Sequence, residues 1–271
     1  MKLSIMPMRL AYCSSLLLAA ALSGCGTTKV HNPSFPVTRG EAKAVRKAMA
    51  QQVKTLQRPV VVLSGFLDPG VAAEAFRTSL NDVVDGERII AISFATERNF
   101  DSARDTLIAE VEAALPSSNP RETVEVDVIA HSMGGLIARY ASLPRSDGKR
   151  LRIARLFTTA TPHRGAAMGG GLLPINALAV NMDKHSEFIA MMAKVNHAYP
   201  IVPYVMLGDR VVGQENSAPQ GQHPWWVDRR WYQAPHLAVT GDHRILADIL
   251  RRLRGEQPFT IEPPTPLPVQ E

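Results

Sequence analysis

The sequence predicts an α/β fold in which a mostly parallel central sheet is flanked by helices. β-branched apolar runs alternate with amphipathic stretches, an order that gives parallel strands with right-handed crossovers. The chain has 271 residues, 45% of them hydrophobic, which suits one domain with a sizeable core. Residues 124–140 combine a strand, a very tight turn and a helix, and this unit is the centre of the prediction.

The first 25 residues have the pattern of a targeting segment and are set apart from the fold. A basic start is followed by an apolar run over 10–22 that is too short to span a bilayer comfortably. The run ends in Leu22-Ser23-Gly24-Cys25, which resembles the lipobox of bacterial lipoproteins. The resemblance implies a lipoprotein signal peptide over 1–24 and a lipid anchor on Cys25. An ordinary signal peptide or an uncleaved anchor is the alternative.

Cysteine usage and charge limit the partners. The only cysteines are Cys13 and Cys25, so a chain matured at Cys25 has no internal disulfide. Cleavage removes Lys2 and Arg9, two of 30 basic residues, and the remaining 28 against 25 acidic residues leave a net charge of +3. With no nucleic-acid motif, we expect no nucleic-acid partner. By analogy with enteric lipoproteins, Gly26 after the cysteine implies the outer membrane, facing the periplasm, within the bacterial cell envelope.

The elements before the central unit follow in order. Residues 25–37 are a polar tether, and the folded domain is expected over 38–257. Thr38 with Glu41 forms a capping box for a helix over 38–57. The remaining elements are a strand over 59–64, a helix with its apolar face over 72–84, a strand over 89–94, and a helix capped by Asp101 with its apolar stripe over 107–115.

The central unit carries the chemistry. Ser132 lies on the turn between strand and helix, and Ala130 and Gly134 are small enough to let the two elements approach closely. The amide of Met133, at the helix N-terminus, is placed to stabilise an oxyanion. Ala130-His131-Ser132-Met133-Gly134-Gly135 resembles the nucleophile elbow of the α/β-hydrolase superfamily, more narrowly its small bacterial lipase and esterase branch. An idle structural turn is the alternative.

Two further loops resemble that branch. The loop 64–70 follows the strand at 59–64, and in the resembled superfamily it supplies a second oxyanion amide. We expect this amide from Phe66, with Leu67 next. Residues 161–165 resemble the Thr-Pro-x-x-Gly loop of the lipase branch. We assign His131, Pro162 and His163 to the substrate pocket, with His163 a wall of the site rather than its base.

Two stretches allow more than one interpretation. Residues 166–200 interrupt the alternation with three consecutive glycines and several apolar residues. Their position resembles the lid of these hydrolases, but the same side chains would equally well complete the core. The aromatic segment 224–232 would line a pocket, lie at a membrane surface, or simply pack.

The acid and the base are assigned from chain order. Asp209 follows the strand over 202–207 in a Gly-Asp-x-Val-Val stretch that resembles the acid loop, and Asp228 is a poorer candidate. His243 occupies the place of the catalytic histidine, just before the final helix. His236 is the fallback, because a strand starting at 236 would put it at the opposite sheet edge. The Pro-rich tail over 258–271 is expected to be unstructured.

The resemblance therefore implies a Ser132-His243-Asp209 triad that cleaves carboxylic esters through an acyl-enzyme. The expected partners are an ester or lipid substrate and a membrane, bound through the anchor at Cys25. No metal or other cofactor is expected, since the sequence has no His-x-x-x-His or cysteine cluster. The alternatives are a lipid-anchored acyltransferase or thioesterase, and a non-catalytic binding protein on the same fold.

Overall fold

A six-stranded sheet is the frame on which the rest of the chain is mounted. A computed structural model describes residues 30–84, 88–167 and 176–268. The strands are β1 (Val60–Leu63), β2 (Ile89–Ile92), β3 (Glu122–His131), β4 (Arg150–Thr159), β5 (Ile201–Met206) and β6 (Trp225–Val227). They lie in the order β2-β1-β3-β4-β5-β6, and every neighbouring pair in this sheet is parallel.

Helices cover both faces of the sheet. They are α1 (Arg39–Ala50), α2 (Val71–Asn81), α3 (Phe100–Ala114), α4 (Met133–Ala141), α5 (Ala177–Asn181), α6 (Glu187–Ala193), α7 (Pro235–Ala238) and α8 (His243–Leu253). Side chains alternate across β1, so Val60 and Val62 join one core and Val61 and Leu63 the other. The first core includes side chains of α1, α2 and α8, and the second includes side chains of α3 and α4. Burial on both faces accounts for the continuous apolar runs of the inner strands.

The strand order reverses between β1 and β3. From β1 the chain moves outward to β2, then returns past β1 to β3 and continues in the other direction. Loops that leave the carboxyl ends of β1 and β3 therefore diverge to opposite faces and open a crevice between them. Loop 64–70 and Ser132 both lie at this crevice.

The predicted α/β-hydrolase fold is confirmed, and most predicted elements are present. Two local predictions near the end of the chain are wrong. The predicted last strand at 236–239 is instead α7 followed by a 3₁₀ turn over Val239–Gly241. The last strand is β6, inside the aromatic segment, where Trp225 and Trp226 are buried. Packing therefore accounts for these two tryptophans, whereas Trp231 and Tyr232 are exposed.

The described part of the predicted lid packs into the core. Leu178 of α5 and Ile189 of α6 are buried with the apolar face of α3, and Phe188 stacks on Phe100 with ring centroids 3.9 Å apart. The core-completing alternative therefore fits α5 and α6. Residues 168–175, which hold the three glycines, lie outside the described residues.

Both ends of the domain are held by hydrogen bonds. Residues 32–37 were predicted as tether, yet Phe35 is buried and the Asn32 side chain donates to the carbonyl of Trp226 at 2.8 Å. Residues 258–268 have no helix or strand, but they are not a free tail. The Thr265 hydroxyl donates to the Ser34 hydroxyl at 2.7 Å and accepts from the Ser34 amide at 3.2 Å. The Thr265 carbonyl accepts from the Trp226 indole N–H at 2.9 Å. Proline-rich backbone keeps its carbonyls available for such contacts.

The N-terminal predictions fall elsewhere. The chain divides into a unit over residues 1–31 and a unit over 32–271. The signal peptide over 1–24, Cys25 and the first part of the tether lie outside the described residues. Within the described ranges, no helix combines the length and the apolar character that a membrane crossing requires.

Candidate active site

Ser132 occupies a strained turn between β3 and α4. Its φ and ψ are 51° and −126°, a combination that costs an L-residue energy and persists only where the surroundings enforce it. The backbone enforces it here, because the amide of Ser132 donates to the carbonyl of Thr159 at 2.9 Å. The helix begins at the next residue, so the serine hydroxyl stands beside a helix N-terminus.

The glycines after the serine permit this tight turn. A Cβ on Gly134 would lie 2.6 Å from the carbonyl oxygen of Ser64, and one on Gly135 would overlap the Thr161 side chain. Helix α4 therefore touches both neighbouring strand ends directly. The small residues in the sequence pattern correspond to close packing, as their positions predicted.

The loop after β1 runs against the serine. A Cβ built on Gly65 would lie 3.1 Å from the Cβ of Ser132 and 3.6 Å from its hydroxyl oxygen. Asp68 fixes the end of this loop by accepting the amides of Val71 and Ala72 at 2.6 and 2.9 Å, which caps α2. Between them, Leu67 has a positive φ of 55°. The amide of Phe66 accordingly lies on a constrained segment next to Ser132.

Asp209 is held in the loop that follows β5. Asp209 is 3% exposed, and one of its carboxylate oxygens accepts hydrogen bonds from the amides of Val211 and Val212 at 2.9 and 3.2 Å. Gly208, with a φ of 81°, allows the chain to turn into this loop. The second carboxylate oxygen is left to accept from a side chain.

That side chain is His236. Its Nδ1 lies 2.9 Å from the Asp209 carboxylate and its Nε2 lies 3.1 Å from the Ser132 hydroxyl oxygen. A carboxylate only accepts, so Nδ1 carries the proton and the free Nε2 accepts from the hydroxyl. The three side chains form one hydrogen-bonded chain from acid to imidazole to hydroxyl.

A second imidazole borders this chain. His131 is buried, with its ring centroid 5.0 Å from that of His236 and its Nδ1 3.3 Å from the Thr159 hydroxyl. Burial, and then the nearby His236, lower the pKa of His131 to about 3. The ring is therefore neutral at physiological pH and forms a wall of the site.

A cleft of about 400 Å³ opens over the serine. Its lining is mostly apolar, with Phe66, Leu67, Val71 and Leu237 around its walls and rim. His131, Ser132 and His236 lie at its base. Within the described ranges, no group of three or more His, Cys, Asp or Glu side chains is arranged to hold a metal ion.

Comparisons with known proteins match this architecture. A family model described as PGAP1-like alpha/beta domain matches residues 103–182, less than a third of the chain. The structure of phospholipase PlaB from Legionella pneumophila aligns with a TM-score of 0.53 and 12% identity over 72% of this chain and 59% of that one. A complex of that phospholipase with thio-NAD aligns over 43% of its length, so the chain spans about half of these phospholipase chains.

The mature lipase BlEst2 from Bacillus licheniformis aligns at 14% identity and a TM-score of 0.46, over 75% of this chain and 92% of that one. A comparison with curated protein sequences found no significant match. The chain has the α/β-hydrolase fold. Identities this low show the fold alone.

The structure places His236, not the predicted His243, next to Ser132. His243 is the first residue of α8, and its Nδ1 contacts the Arg46 guanidinium at 2.7 Å. It makes no hydrogen bond to Ser132 or Asp209, whereas the fallback His236 contacts both. The prediction of His243 as the base next to Ser132 is therefore wrong, because the segment at 236 is a helical turn at the carboxyl edge rather than the start of a strand.

The other predicted residues divide into two groups. Four of them line the serine cleft: Phe66, Leu67, His131 and Ser132. Asp209 is buried and reaches the cleft through its hydrogen bond to His236, and Met133 is buried next to Ser132 at the start of α4. Pro162 and His163 do not line the serine cleft. His163 points away, with its ring between Arg139 and Thr158, so its assignment to the substrate pocket is wrong. Asp228 pairs with Arg244.

A local signal for His236 was present in the sequence. Pro235 is the N1 residue of α7, a position that proline favours because its missing N–H has no partner there. Ala234-Pro235-His236 therefore indicates a helix start as readily as a strand. Reading Trp225–Val227 as the last strand would also have put His236 in the loop before the final helix.

Proposed function

We propose that this chain is a serine hydrolase that cleaves carboxylic esters through an acyl-enzyme. The observation that carries the proposal is the continuous hydrogen-bonded chain from Asp209 through His236 to Ser132, with distances of 2.9 and 3.1 Å. These residue types in this geometry generate a nucleophilic alkoxide at neutral pH. Their order along the chain, Ser, Asp, His, is that of the α/β hydrolases.

Each side chain has one task in the reaction. His236 removes the hydroxyl proton as Ser132 attacks the ester carbonyl, and Asp209 stabilises the imidazolium that forms. The imidazolium then gives its proton to the departing alcohol, which leaves an acyl-serine. Water enters, loses a proton to His236 and releases the acid, which restores the free hydroxyl.

The amides of Met133 and Phe66 are the proposed oxyanion donors. Met133 is the first residue of α4, where the N–H has no partner within the helix, and no described acceptor takes a hydrogen bond from either amide. Gly65 lets the loop pass close to the serine, and Phe66 is the next residue of that loop. Each such donor is worth about 2.7–4 kcal/mol in the transition state. Leu67 is the alternative donor.

The cleft favours an apolar acyl group. Its volume of about 400 Å³ lies within the usual range for ligand pockets, and its walls are formed largely by carbon. Leu67, Val71 and Leu237 at its rim are 52%, 69% and 67% exposed. Exposed apolar residues around a reactive serine suit a lipid or other ester with a hydrocarbon chain.

The same residues would also serve a thioesterase or an acyltransferase. These differ only in the bond cleaved or in the acceptor that replaces water, so products formed with added alcohols separate transfer from hydrolysis. A non-catalytic binding protein is disfavoured, because such a protein has no need for an aligned acid, imidazole and hydroxyl.

We further propose that Cys25 carries a lipid and that the domain faces the periplasm from the outer membrane. The support is the lipobox-like Leu22-Ser23-Gly24-Cys25 and the polar residues that follow it. Mass spectrometry of the protein from a bacterial host should find a diacylglycerol adduct at Cys25. Recovery of an intact Met1 terminus would contradict the anchor.

A fluorophosphonate probe tests the hydrolase proposal. The full chain should be labelled, Ser132→Ala should not, and the matched control Ser146→Ala, an exposed serine away from the cleft, should be labelled at the wild-type rate. Absence of wild-type labelling, or labelling that persists in Ser132→Ala, would sink the proposal. A panel of oxoesters and thioesters of graded acyl length then defines the substrate.

A further inference from the structure

A second cavity, the cationic pocket, lies apart from the serine cleft and shares no lining residue with it. Its volume is about 320 Å³. Five of its lining residues carry a charge or an imidazole: Arg139, His163, Arg164, Lys184 and His197. Within the described ranges its lining has no Asp or Glu. The pocket therefore concentrates positive charge with no acidic residue to balance it.

Arg139 forms the buried base of the cationic pocket. The residue is 2% exposed and lies in the last turn of α4. Its guanidinium donates to His197 Nε2 at 3.1 Å, to His163 Nδ1 at 3.1 Å and to the carbonyl of Met192 at 2.8 Å. All three acceptors are neutral, and Arg139 is in no ion pair with a described carboxylate.

Such a charge is costly to bury. A buried guanidinium is normally matched by a carboxylate, because removing a cation from water without an opposite charge is strongly unfavourable. Burial accordingly lowers the pKa of Arg139 to about 10. Only three of its five N–H groups have acceptors among the described residues, which leaves two for another partner.

Both imidazoles are fixed in the neutral form. Because Arg139 donates to His163 Nδ1, the proton of that ring is on Nε2, 3.0 Å from the Thr158 hydroxyl. Burial and the charge of Arg139 lower the pKa of His163 well below its usual value and that of His197 to about 4. The remaining titratable neighbour, Tyr199, has a pKa raised to about 12 by burial and stays protonated.

The mouth adds two further cations. Arg164 is anchored by donating to the carbonyls of Ala218, Pro219 and Gln222, so its charge is hydrogen-bonded but not neutralised. Lys184 also lines the pocket and is exposed. Neither residue is in an ion pair with a described carboxylate. Three cations thus surround a polar cavity whose mouth also has Asn196, Gln220 and Gln222.

We propose that the cationic pocket binds a phosphate group, with Arg139 at its base and Lys184 at its mouth. A guanidinium with two free N–H groups matches two oxygens of a tetrahedral oxyanion, and a phosphate dianion offsets more of the three positive charges than a carboxylate does. The volume leaves room for an organic group attached to the phosphate. This site is independent of the ester chemistry at Ser132.

Inorganic phosphate is the first probe. We expect it to raise the thermal midpoint of the full chain saturably at constant ionic strength, relative to chloride, and calorimetry gives its dissociation constant. Arg139→Gln should weaken binding at least tenfold and Lys184→Ala about threefold. Two controls should leave the dissociation constant unchanged: Ser132→Ala, and Arg77→Gln, which removes the same charge from an exposed helix face.

His197→Gln tests whether His197 serves only as a neutral acceptor that holds the Arg139 guanidinium in place. A glutamine oxygen can accept from the Arg139 Nε without titrating, so this variant should bind phosphate near pH 7.5 as the wild type does. Wild type and variant should both bind phosphate more weakly at pH 5.5, because His197 with a pKa of about 4 is still mostly neutral there while the phosphate dianion takes up a proton. The two proteins should therefore share one pH profile.

Two arms distinguish the source of the phosphate group. Vesicles of phosphatidylglycerol that bind through Arg139, in competition with inorganic phosphate, and matched phosphatidylcholine vesicles that bind more weakly, would identify a lipid head group. Binding of glycerol phosphate without vesicle binding would identify a soluble phosphate ester. Either result supports the proposal. It is overturned if phosphate gives no saturable effect, or if Lys184→Ala and a folded Arg139→Gln both bind as the wild type.

Discussion

Substituting each of the two candidate histidines in turn gives the sharpest test of the site geometry. In His236→Asn the imidazole between Asp209 and Ser132 is removed, while in His243→Asn an imidazole that contacts Arg46 is removed. No substitute base is available to His236→Asn. His131 is the neighbouring imidazole, and a base with a pKa of about 3 accepts a proton too weakly near neutrality.

The expected loss in kcat for His236→Asn is therefore nearly complete. Removing the histidine of a Ser-His-Asp arrangement costs about 10⁴- to 10⁶-fold, or about 5–8 kcal/mol of transition-state stabilisation. His243→Asn should stay within about threefold of the wild type, since its side chain reaches neither reacting group. Both substitutions should leave KM nearly unchanged.

The assay is hydrolysis of p-nitrophenyl butyrate, together with the rate of fluorophosphonate labelling. Circular dichroism and the thermal midpoint establish that each variant is folded. Loss of activity in folded His243→Asn with normal activity in His236→Asn would refute the geometric argument. It would show that the hydrogen-bonded chain at Ser132 is not the one that reacts.

Three further predictions follow from neighbouring features. Asp209→Asn should lower kcat for the same ester about 10⁴-fold, because an amide no longer holds the His236 tautomer. Gly134→Val should lower the free energy of unfolding by about 1–3 kcal/mol in urea, since its Cβ would meet the backbone of Ser64, whereas the control Gly241→Ala, at an exposed glycine with no atom within 4 Å of the added Cβ, should change it far less. Stability should fall on acidification from pH 6.5 towards pH 3. His131 is neutral when folded and protonated when unfolded there, so His131→Asn should reduce the slope of unfolding free energy against pH by up to about 1.4 kcal/mol per unit.

The elbow and the first three strands were predictable because their signals are local. Strand, glycine pattern and helix are adjacent in residues 124–140, and each small residue has a direct steric reason. Asp209 was predictable for the same reason, since a strand precedes it. Ser132 and Asp209 were thus predicted from short stretches whose structure depends little on distant packing.

His236 was ranked behind His243 because two local patterns were ambiguous. The aromatic Trp225–Val227 stretch is only three residues long, and its identity as a strand depends on pairing with β5. Likewise, α7 is a single turn whose existence depends on what it packs against. The sequence analysis predicted a strand at 236–239 and none at 225–227, whereas the structure has the strand at 225–227 and a helical turn at 235–238. The prediction therefore placed His236 at the wrong edge of the sheet.

Arg139 and its pocket were beyond reach of the sequence for a different reason. Arg139 lies in the last turn of α4, where cations are common and sequence patterns predict an exposed side chain. Its burial is produced by α6, some fifty residues further along the chain. No periodicity reports a contact at that separation, and His163 could be placed correctly only once its hydrogen bond to Arg139 was seen.

The interlocked ends of the domain govern how it can be shortened. Asp248 is fully buried and accepts the amides of Phe259 and Thr260 at 2.6 and 2.9 Å, besides the Tyr204 hydroxyl and Arg252. A chain cut after residue 257 would remove both amide donors from this carboxylate, and it would also remove the Ile261 amide that donates to the Ser34 carbonyl. Ligand-binding work on a trimmed protein should therefore retain everything through Thr265, whose hydroxyl and carbonyl hydrogen-bond to Ser34 and Trp226.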